Sequence, residues 1–175
     1  MTVKLLALDV DGVLTDGTLY YSAAGEAMKA FNAQDGLGLK LLERLGIKVA
    51  IISGRDSAVL NKRLDDLGIK LRRLRCGNKL AALQEICDGL GIDISEAAFM
   101  GDDLVDLKVM EACGHPLAPA NAVPAVHMVA DHVTHARGGH GAVREVCEYL
   151  ADRMGTPLMD AMYMDDTHHD GGLTQ

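Results

Sequence analysis

Two carboxylates one residue apart are the first groups in this sequence whose types and spacing could do chemistry. Asp9 and Asp11 follow the apolar run at 3–8. Side chains alternate along an extended chain, so both carboxylates can point the same way, and Gly12 allows a sharp turn after them. Two ionised carboxylates this close repel each other, so a cation or a shared proton is expected between them. The competing interpretation is a loop of capping aspartates, and the triplet alone leaves both open.

A second acidic cluster lies at 101–106 and supplies Asp102, Asp103 and Asp106. Mg²⁺ takes oxygen ligands, usually one or two carboxylates, while water and substrate phosphate complete its shell. If this cluster and Asp9 meet at one edge of a sheet, they provide the carboxylates for such a site. By itself the cluster could equally be an N-cap and the acidic first turn of a helix.

Two further segments carry groups that could hold a phosphate. Ser53-Gly54-Arg55 follows the apolar run at 47–52, and a hydroxyl with free backbone N–H groups at a helix start can bind an anion. Lys79 lies near the start of another predicted helix, where a cation opposes the helix dipole and an anionic partner is expected. The alternatives are that Ser53 only caps a helix and that Lys79 is a solvated surface lysine.

Strands that alternate with helices are needed to position these groups, and the hydrophobic pattern predicts such an α/β chain. We predict a doubly wound, Rossmann-like parallel sheet with a β-hairpin at 18–31 inserted after the first strand. Ligands bind at the carboxyl ends of the strands in such sheets, and each cluster above follows a strand. The predicted strands are 3–8, 47–52, 69–74, 96–100, 114–118 and 131–134, and the predicted helices are one that opens at Asp35 and those at 57–67, 79–90, 104–112 and 141–154.

The charge and composition of the chain exclude several function classes. With 175 residues and a net charge of −8, one domain is expected, and general electrostatic attraction to nucleic acid or to an anionic membrane is not. Any cations that meet an anionic substrate must therefore be concentrated locally. No apolar run is long enough to span a membrane and the N-terminus lacks the pattern of a signal peptide, so we expect a cytoplasmic protein.

The end of the chain differs in composition from the rest. We expect the folded domain over 1–155 and a flexible tail over 156–175, because the tail ends in an acidic, Gly-rich stretch. His168-His169 in this tail could bind a metal, although this is not the favoured interpretation. The four cysteines have no C-x-x-C spacing, so free thiols are expected and zinc is not.

Taken in order, the clusters resemble the motifs of the haloacid dehalogenase superfamily of phosphotransferases. The matching segments are D-V-D-G-V-L-T-D at 9–16, I-S-G-R at 52–55, N-K at 78–79 and G-D-D-x-x-D at 101–106, within a resemblance that covers 3–150. It implies a phosphatase in which Asp9 forms an aspartyl phosphate and Asp11 is the general acid and base. It also implies that Ser53 and Lys79 hold the phosphoryl oxygens. The implied Mg²⁺ ligands are Asp9, the backbone carbonyl of Asp11 and Asp102, with Asp103 or Asp106 in support.

Two more stretches, at 25–38 and 138–146, resemble the 3-deoxy-D-manno-octulosonate 8-phosphate phosphatases. The length is similar too and leaves no room for a large cap domain. This resemblance implies a phosphorylated sugar acid as substrate, a place in lipopolysaccharide biosynthesis, and a homotetramer built through the hairpin in which neighbouring subunits close the site. The substrate contacts that carry over are Asn32, Ala33, Gln34, Asp35, Gly36, Gly54, Arg55, Arg63 and Lys79.

Four residues depart from that family pattern. Leu74-Arg75 stand where Gln-Gly is usual, and His140 and Lys40 stand where Arg is more usual. The sequence therefore leaves the exact sugar acid open. The alternatives are a nonulosonate 9-phosphate phosphatase, a promiscuous sugar phosphatase, a non-catalytic regulatory homologue, and a metal- or phosphate-binding module without turnover.

Overall fold

A parallel sheet of six strands forms the centre of the computed structural model, which describes residues 3–164. The sheet order is β5-β4-β1-β6-β7-β8, and every pairing within it is parallel. A separate antiparallel hairpin, β2–β3, lies between β1 and the first helix. This architecture confirms the predicted Rossmann-like α/β fold and its hairpin insertion. The strands are β1 Leu5–Leu8, β2 Tyr20–Ser22, β3 Gly25–Met28, β4 Lys48–Ile52, β5 Leu71–Arg73, β6 Ala97–Met100, β7 His115–Ala118 and β8 His132–Val133.

Helices cover both faces of the sheet, so its central strands are apolar along their whole length. All four residues of β1 are buried, as are all four of β6. Leu6 and Leu8 of β1 pack in the layer of α1, α2 and α6, whereas Leu5 and Ala7 pack in the layer of α3, α4 and α5. The helices are α1 Ala33–Arg44, α2 Ala58–Leu67, α3 Lys79–Leu90, α4 Leu107–Ala112, α5 Pro124–Val129 and α6 Ala142–Arg153.

The strand register brings the predicted motifs to one edge. Leu8, the last residue of β1, pairs with Ile51 of β4 and with Met100 of β6. The residues that follow these strands therefore leave the sheet at about the same level, and they begin the three motif loops at Asp9, Ser53 and Gly101.

Some elements differ from their predicted form. The helix predicted at 104–112 is a 3₁₀ helix, Leu104–Asp106, followed by α4, while α5 and the 3₁₀ helix Ile94–Glu96 lack a sequence prediction. The second hairpin strand begins at Gly25 rather than at residue 27. The Ser22 hydroxyl tightens this turn, since it accepts from the Ala24 N–H at 3.2 Å and donates to the Gly25 carbonyl at 3.3 Å.

The folded part of the chain extends beyond the predicted boundary at residue 155. Residues Leu158–Tyr163 form a 3₁₀ helix in which Leu158 and Ala161 are buried, and the Arg44 guanidinium donates to the Ala161 carbonyl at 3.2 Å. The expectation of a flexible tail from residue 156 is therefore wrong for this segment, because its apolar side chains pack against α1. His168-His169 lie outside the described residues. The four cysteines are free thiols, as expected, and no helix within 3–164 is long and apolar enough to cross a bilayer.

Candidate active site

A cavity of about 450 Å³ opens at the carboxyl edge of the sheet. Groups from four loops line it, those after β1, β4, β5 and β6, together with the first residue of α3. The structure therefore brings together most of the residues that the sequence singles out. Those of them that line the cavity are Asp9, Asp11, Ser53, Gly54, Arg55, Lys79, Asp102 and Asp103, joined by Gly17, Leu19, Cys76, Gly77 and Val105.

Lys79 joins the nucleophile candidate to the second acidic cluster. Its ammonium lies 2.8 Å from Asp9 Oδ2 and 2.6 Å from Asp106 Oδ1, and only 7% of the residue is exposed. Burial acts to lower the pKa of Lys79, but the charges of Asp9 and Asp106 outweigh it and raise that pKa. The ammonium therefore stays charged, and the alternative of a solvated surface lysine is wrong.

Asp106 has both carboxylate oxygens engaged by the protein. Oδ1 accepts from Lys79, and Oδ2 accepts from the backbone N–H groups of Asp102 at 3.1 Å and Asp103 at 3.3 Å. These bonds satisfy a carboxylate that is fully buried. They also fix the loop after β6, so Asp106 sets the position of Asp102.

Three carboxylates crowd together beside Gly12. Oxygens of Asp9, Asp102 and Asp106 lie within 4.8 Å of one another. Gly12 has φ of +88°, and a Cβ there would lie 1.9 Å from Asp102 Oδ2, so only glycine fits both the turn and the approach of this carboxylate. Burial and then the charges of Asp9, Asp106 and Asp103 raise the pKa of Asp102 to about 7. Burial also raises the pKa of Asp9, against the effect of Lys79.

This donor set fits a hard divalent cation. The three carboxylates supply the oxygen ligands that Mg²⁺ prefers. They also repel one another beside the ammonium of Lys79, and a bound Mg²⁺ would offset this buried negative charge. Because both oxygens of Asp106 are engaged, Asp9 and Asp102 are the carboxylates left to bind the ion, with Asp106 in support. The Asp103 carboxylate accepts from the Leu104 N–H at 2.7 Å, which is the capping role considered as the alternative interpretation of this cluster.

Asp11 lies apart from this cluster and is flanked by two cations. Its Oδ1 accepts a hydrogen bond from the Lys29 ammonium, and its Oδ2 lies 3.6 Å from Arg55 Nε. Arg55 also donates to the Tyr21 hydroxyl at 2.6 Å. Lys29 lies 2.7 Å from Glu26 Oε1. The predicted site does not include Lys29, although the segment 25–38 that contains it is among those that resemble a family.

Ser53 is buried at the end of β4, where its hydroxyl accepts from the Arg55 N–H at 3.2 Å. The N-cap of α2 is Ser57, whose hydroxyl accepts from the Leu60 N–H at 3.3 Å. The alternative in which Ser53 only caps this helix is therefore wrong. Its place in the cavity wall, next to the exposed Gly54, agrees with the predicted role in phosphate binding, which stays a prediction.

The loop predicted to contact the substrate, Asn32–Gly36, has structural roles and does not line the cavity of its own chain. The Asn32 side chain caps α1 by accepting from the N–H groups of Gln34 at 2.8 Å and Asp35 at 3.2 Å. Asp35 is 1% exposed, and its Oδ1 accepts from the Arg144 N–H at 2.8 Å at the start of α6. Burial raises the pKa of Asp35, against the effect of the backbone N–H groups of Arg144, Gly141 and Val143 at the start of α6. The prediction that Asp35 contacts substrate is therefore wrong, because its side chain is enclosed.

Arg63 is also away from the cavity of its own chain. Its guanidinium donates to the Asn32 carbonyl at 3.3 Å and lies 5.9 Å from the centre of the Phe31 ring. A Cβ on Gly36 would lie 2.4 Å from Arg63 Nη2, so Gly36 packs beneath the guanidinium. Within one chain, a substrate contact by Gly36 is excluded by packing, and Arg63 supports the start of α1. Ala33 and Gln34 are exposed on the first turn of this helix.

Asn121 is a site residue without a sequence prediction. Its amide donates to the Gly12 carbonyl at 2.9 Å and accepts from the Gly138 N–H at 2.6 Å. A Cβ on Gly138 would lie 1.9 Å from the Gly12 oxygen. The Gly-rich segment before α6 therefore packs directly on the loop that carries Asp9 and Asp11. A single Asn between two apolar segments belongs to no motif with a recognisable spacing, so its role becomes visible only in the folded structure.

The departures from the family pattern lie around this framework. Arg75 has φ of +53°, a conformation that is costly for a residue with a Cβ, and its guanidinium lies 3.2 Å from Asp56 in the loop after β4. Leu74 packs against the core, His140 is exposed and Lys40 is half-buried on α1. None of these side chains lines the cavity among the residues that the structure describes.

The comparisons with known proteins agree with this geometry. The family model for haloacid dehalogenase-like hydrolases matches residues 75–146. The chain is 44% identical over 153 residues to the 3-deoxy-D-manno-octulosonate 8-phosphate phosphatase KdsC of Haemophilus influenzae, covering 87% of this chain and 85% of the relative. It is 45% identical over 148 residues to KdsC of Escherichia coli K12, covering 85% and 79% of the two chains.

Solved structures give the same result. A cobalt-bound 3-deoxy-D-manno-octulosonate 8-phosphate phosphatase structure from Haemophilus influenzae superposes with a TM-score of 0.86 at 44% identity, covering 88% of this chain and 90% of the other. The phosphatase from Moraxella catarrhalis, in complex with magnesium, phosphate and KDO, has a TM-score of 0.86 at 42% identity, covering 92% and 91%. The chain therefore belongs to the haloacid dehalogenase-like hydrolases and, within that class, to the family of the 3-deoxy-D-manno-octulosonate 8-phosphate phosphatases.

Proposed function

We propose that this hydrolase is a Mg²⁺-dependent phosphatase that releases phosphate from 3-deoxy-D-manno-octulosonate 8-phosphate. The observation that carries the proposal is the cavity in which Asp9, Lys79 and Asp102 converge. The substrate class is supported by the relatives, which are 44–45% identical and bear that activity in their names. The proposed setting is cytoplasmic lipopolysaccharide biosynthesis.

The proposed reaction uses Asp9 as a covalent nucleophile. Its carboxylate attacks phosphorus, an aspartyl phosphate forms, and the bond to the sugar oxygen breaks while Asp11 gives that oxygen a proton. Water then loses a proton to Asp11 and attacks phosphorus, which frees Asp9 and releases phosphate. Ser53 and Lys79 hold the phosphoryl oxygens throughout. Asp9, the Asp11 carbonyl and Asp102 would hold Mg²⁺, which would supply positive charge against the charge that develops on the phosphoryl group.

Substrate recognition is proposed to involve Gly54 and Arg55 of the same chain, with Asn32, Ala33, Gln34 and Arg63 of a neighbouring copy. Gly54 and Arg55 line the cavity, whereas the Asn32–Gly36 segment and Arg63 do not. A homotetramer built through the hairpin would let one chain complete the site of another. The enclosed side chain of Asp35 supports the start of α6 whether or not the chains assemble.

A non-catalytic homologue is disfavoured by the intact acidic centre. A regulatory protein has no need of a buried, repulsive carboxylate cluster, because such a cluster costs stability unless a cation occupies it. The alternative enzymes are a phosphatase for a nonulosonate 9-phosphate and a promiscuous sugar phosphatase. Either would use the same catalytic groups around Asp9, with a differently shaped entrance to the cavity.

A substrate panel tests the proposal. We expect kcat/KM to be highest for 3-deoxy-D-manno-octulosonate 8-phosphate among phosphorylated sugar acids of eight and nine carbons and neutral sugar phosphates. A preference for the nine-carbon acids would replace the substrate assignment, and equal values for all substrates would indicate a promiscuous enzyme. An absence of turnover on every substrate with Mg²⁺ present would overturn the proposal.

A further inference from the structure

Lys29 is a buried lysine beside the active site to which the proposed mechanism gives no role. It follows β3 directly and is 7% exposed. Its ammonium donates to Asp11 Oδ1 and lies 2.7 Å from Glu26 Oε1. Lys29 is therefore held between a hairpin carboxylate and the candidate general acid.

This contact makes the two oxygens of Asp11 different. Oδ1 accepts a charge-assisted hydrogen bond from Lys29, whereas Oδ2 has Arg55 Nε at 3.6 Å, which is beyond hydrogen-bond length. The torsion that turns a carboxylate about its last bond has broad, two-fold minima. A fixed partner on Oδ1 therefore limits that rotation and leaves Oδ2 as the oxygen able to exchange a proton with substrate.

Both cations that flank Asp11 are held by the hairpin. Glu26 on β3 pairs with Lys29, and the Tyr21 hydroxyl on β2 accepts from Arg55 at 2.6 Å. Lys29 itself occupies the connection from the hairpin to α1. The hairpin therefore reaches the catalytic carboxylate directly, in addition to presenting apolar residues at the surface.

We propose that Lys29, held by Glu26, is the positioning residue that fixes Asp11 for proton transfer, an inference that rests on the proposed function. In the first step the P–O bond to the sugar breaks as the Asp9–phosphorus bond forms, and the proton on Asp11 Oδ2 passes to the leaving oxygen. In the second step water gives a proton to the same Oδ2, its oxygen attacks phosphorus and the Asp9–phosphorus bond breaks. Lys29 donates to Oδ1 in both steps and transfers no proton.

Two substrates with different leaving groups can test whether Lys29 acts through proton transfer by Asp11. An alkyl phosphate, such as the sugar-acid phosphate, needs a proton on its leaving oxygen, whereas p-nitrophenyl phosphate expels a stable anion without one. The ratio kcat/KM reports the steps up to the formation of the aspartyl phosphate, so it does not include the hydrolysis of that intermediate. We expect Lys29→Met to lower kcat/KM for the sugar-acid phosphate by about tenfold or more, since general acid catalysis contributes about 10²–10⁴-fold. Its kcat/KM for p-nitrophenyl phosphate should change little.

Matched variants complete the design. Asp11→Asn removes the proposed general acid itself, so it shows the largest expected difference between the losses of kcat/KM on the two substrates. Glu26→Gln keeps the shape of the side chain and should show a smaller loss of kcat/KM, again mainly on the sugar-acid phosphate. The control is Lys62→Met, because Lys62 pairs with Asp66 at the surface of α2 at 2.7 Å and should behave as wild type. If Lys29→Met fails to fold, Glu26→Gln decides the question alone.

Two results would overturn the inference. One is an equal loss on both substrates, which would show that Lys29 serves the fold or the phosphate. The other is no loss on either substrate. Failure of the proposed function is visible separately, since wild-type protein would then release no phosphate from the sugar-acid phosphate, and the inference would fall with it.

Discussion

Asp9 is held in place by contacts that need its charge. Lys79 lies 2.8 Å from its Oδ2, and the carboxylates of Asp102 and Asp106 crowd the same space. A carboxylate kept buried among like charges is poorly placed for stability alone, because desolvation opposes ionisation. The arrangement is reasonable for a nucleophile whose charge is balanced by Lys79 and by a bound metal ion.

We expect Asp9→Asn to abolish turnover and to leave the fold intact. The amide has the same shape but cannot attack phosphorus, so phosphate release should fall on the order of 10⁴-fold or more. Lys79 keeps its contact with Asp106, so the thermal midpoint should stay near that of wild type. Asp66→Asn, at an exposed position, is the control for a lost charge. Phosphate release by Asp9→Asn at the wild-type rate would refute covalent catalysis by this residue.

The elements position the site through close backbone contacts rather than through long side chains. The Gly-rich segment before α6 lies on the loop after β1, with the Gly139 N–H donating to the Val13 carbonyl at 3.1 Å. Asn121, between β7 and α5, bridges the two segments. The loop that carries Asp9 and Asp11, the proposed catalytic aspartates, is therefore braced by residues that are distant in the sequence.

Gly138→Ala should disturb this brace. Its Cβ would lie 1.9 Å from the Gly12 oxygen, so the two segments must separate, at a cost of typically about 1–3 kcal/mol for overpacking. We expect both a lower thermal midpoint and a lower kcat. Gly89→Ala is the matched control, because a Cβ on this exposed residue of α3 would meet nothing within 4 Å beyond its chain neighbours and the backbone of its own helix. It should raise stability by about 0.5–1 kcal/mol. A wild-type kcat for Gly138→Ala would contradict the brace.

The sequence predicts an element well when residues that are close together in the chain determine it, and poorly when distant residues do. The buried runs of β1, β4 and β6 are predicted because a covered parallel sheet demands continuous apolar strands, and the capping glycine Gly68 marks the end of α2. The short α5 has no long apolar period. The brace by Asn121 and the ion pair of Lys29 join residues 109 and 18 positions apart, and local patterns carry no information on such contacts.

The same limit explains the error at Asp35. This residue lies in a segment that the family resemblance assigns to substrate binding, yet the fold uses it to satisfy the start of α6. Its role depends on the packing of α1 against α6, and the sequence does not show that pairing.

At the scale of the whole molecule, the hairpin exposes apolar side chains that one chain cannot cover. Leu19 is 43% exposed, Tyr21 is 63% exposed and Met28 is 51% exposed. Fully burying a side chain such as Leu or Met is worth about 1.5–3 kcal/mol, and an isolated two-stranded hairpin is marginal in water. The predicted homotetramer would bury this surface.

Light scattering should therefore report a tetramer at working protein concentration. Met28→Lys should shift the mass toward smaller species, because an unpaired charge would enter the interface. Met128→Lys is the control, since Met128 is 86% exposed on α5, away from the hairpin in the sequence. A fully active monomer would rule out assembly through the hairpin as a requirement for function.

The proposed role of Arg63 also depends on assembly, because a substrate contact by this residue requires a neighbouring copy. We expect Arg63→Ala to raise KM for the sugar-acid phosphate by the equivalent of roughly 1.5–3 kcal/mol, the usual cost of losing a hydrogen bond to a charged group. KM for p-nitrophenyl phosphate, which has no carboxylate, should hardly change. If KM rises equally for both substrates, Arg63 only supports the start of its own α1.

Phosphate release from 3-deoxy-D-manno-octulosonate 8-phosphate tests the central claim most directly. It should be measured on the purified chain with Mg²⁺, after chelation by EDTA, and after Mg²⁺ is restored. We predict rapid release with Mg²⁺, a loss of release in EDTA because Asp9 and Asp102 then repel each other without a bound cation, and recovery when Mg²⁺ is added back. Undiminished release in excess EDTA would contradict the metal-dependent mechanism, and no release under any of these conditions would contradict the proposed function itself.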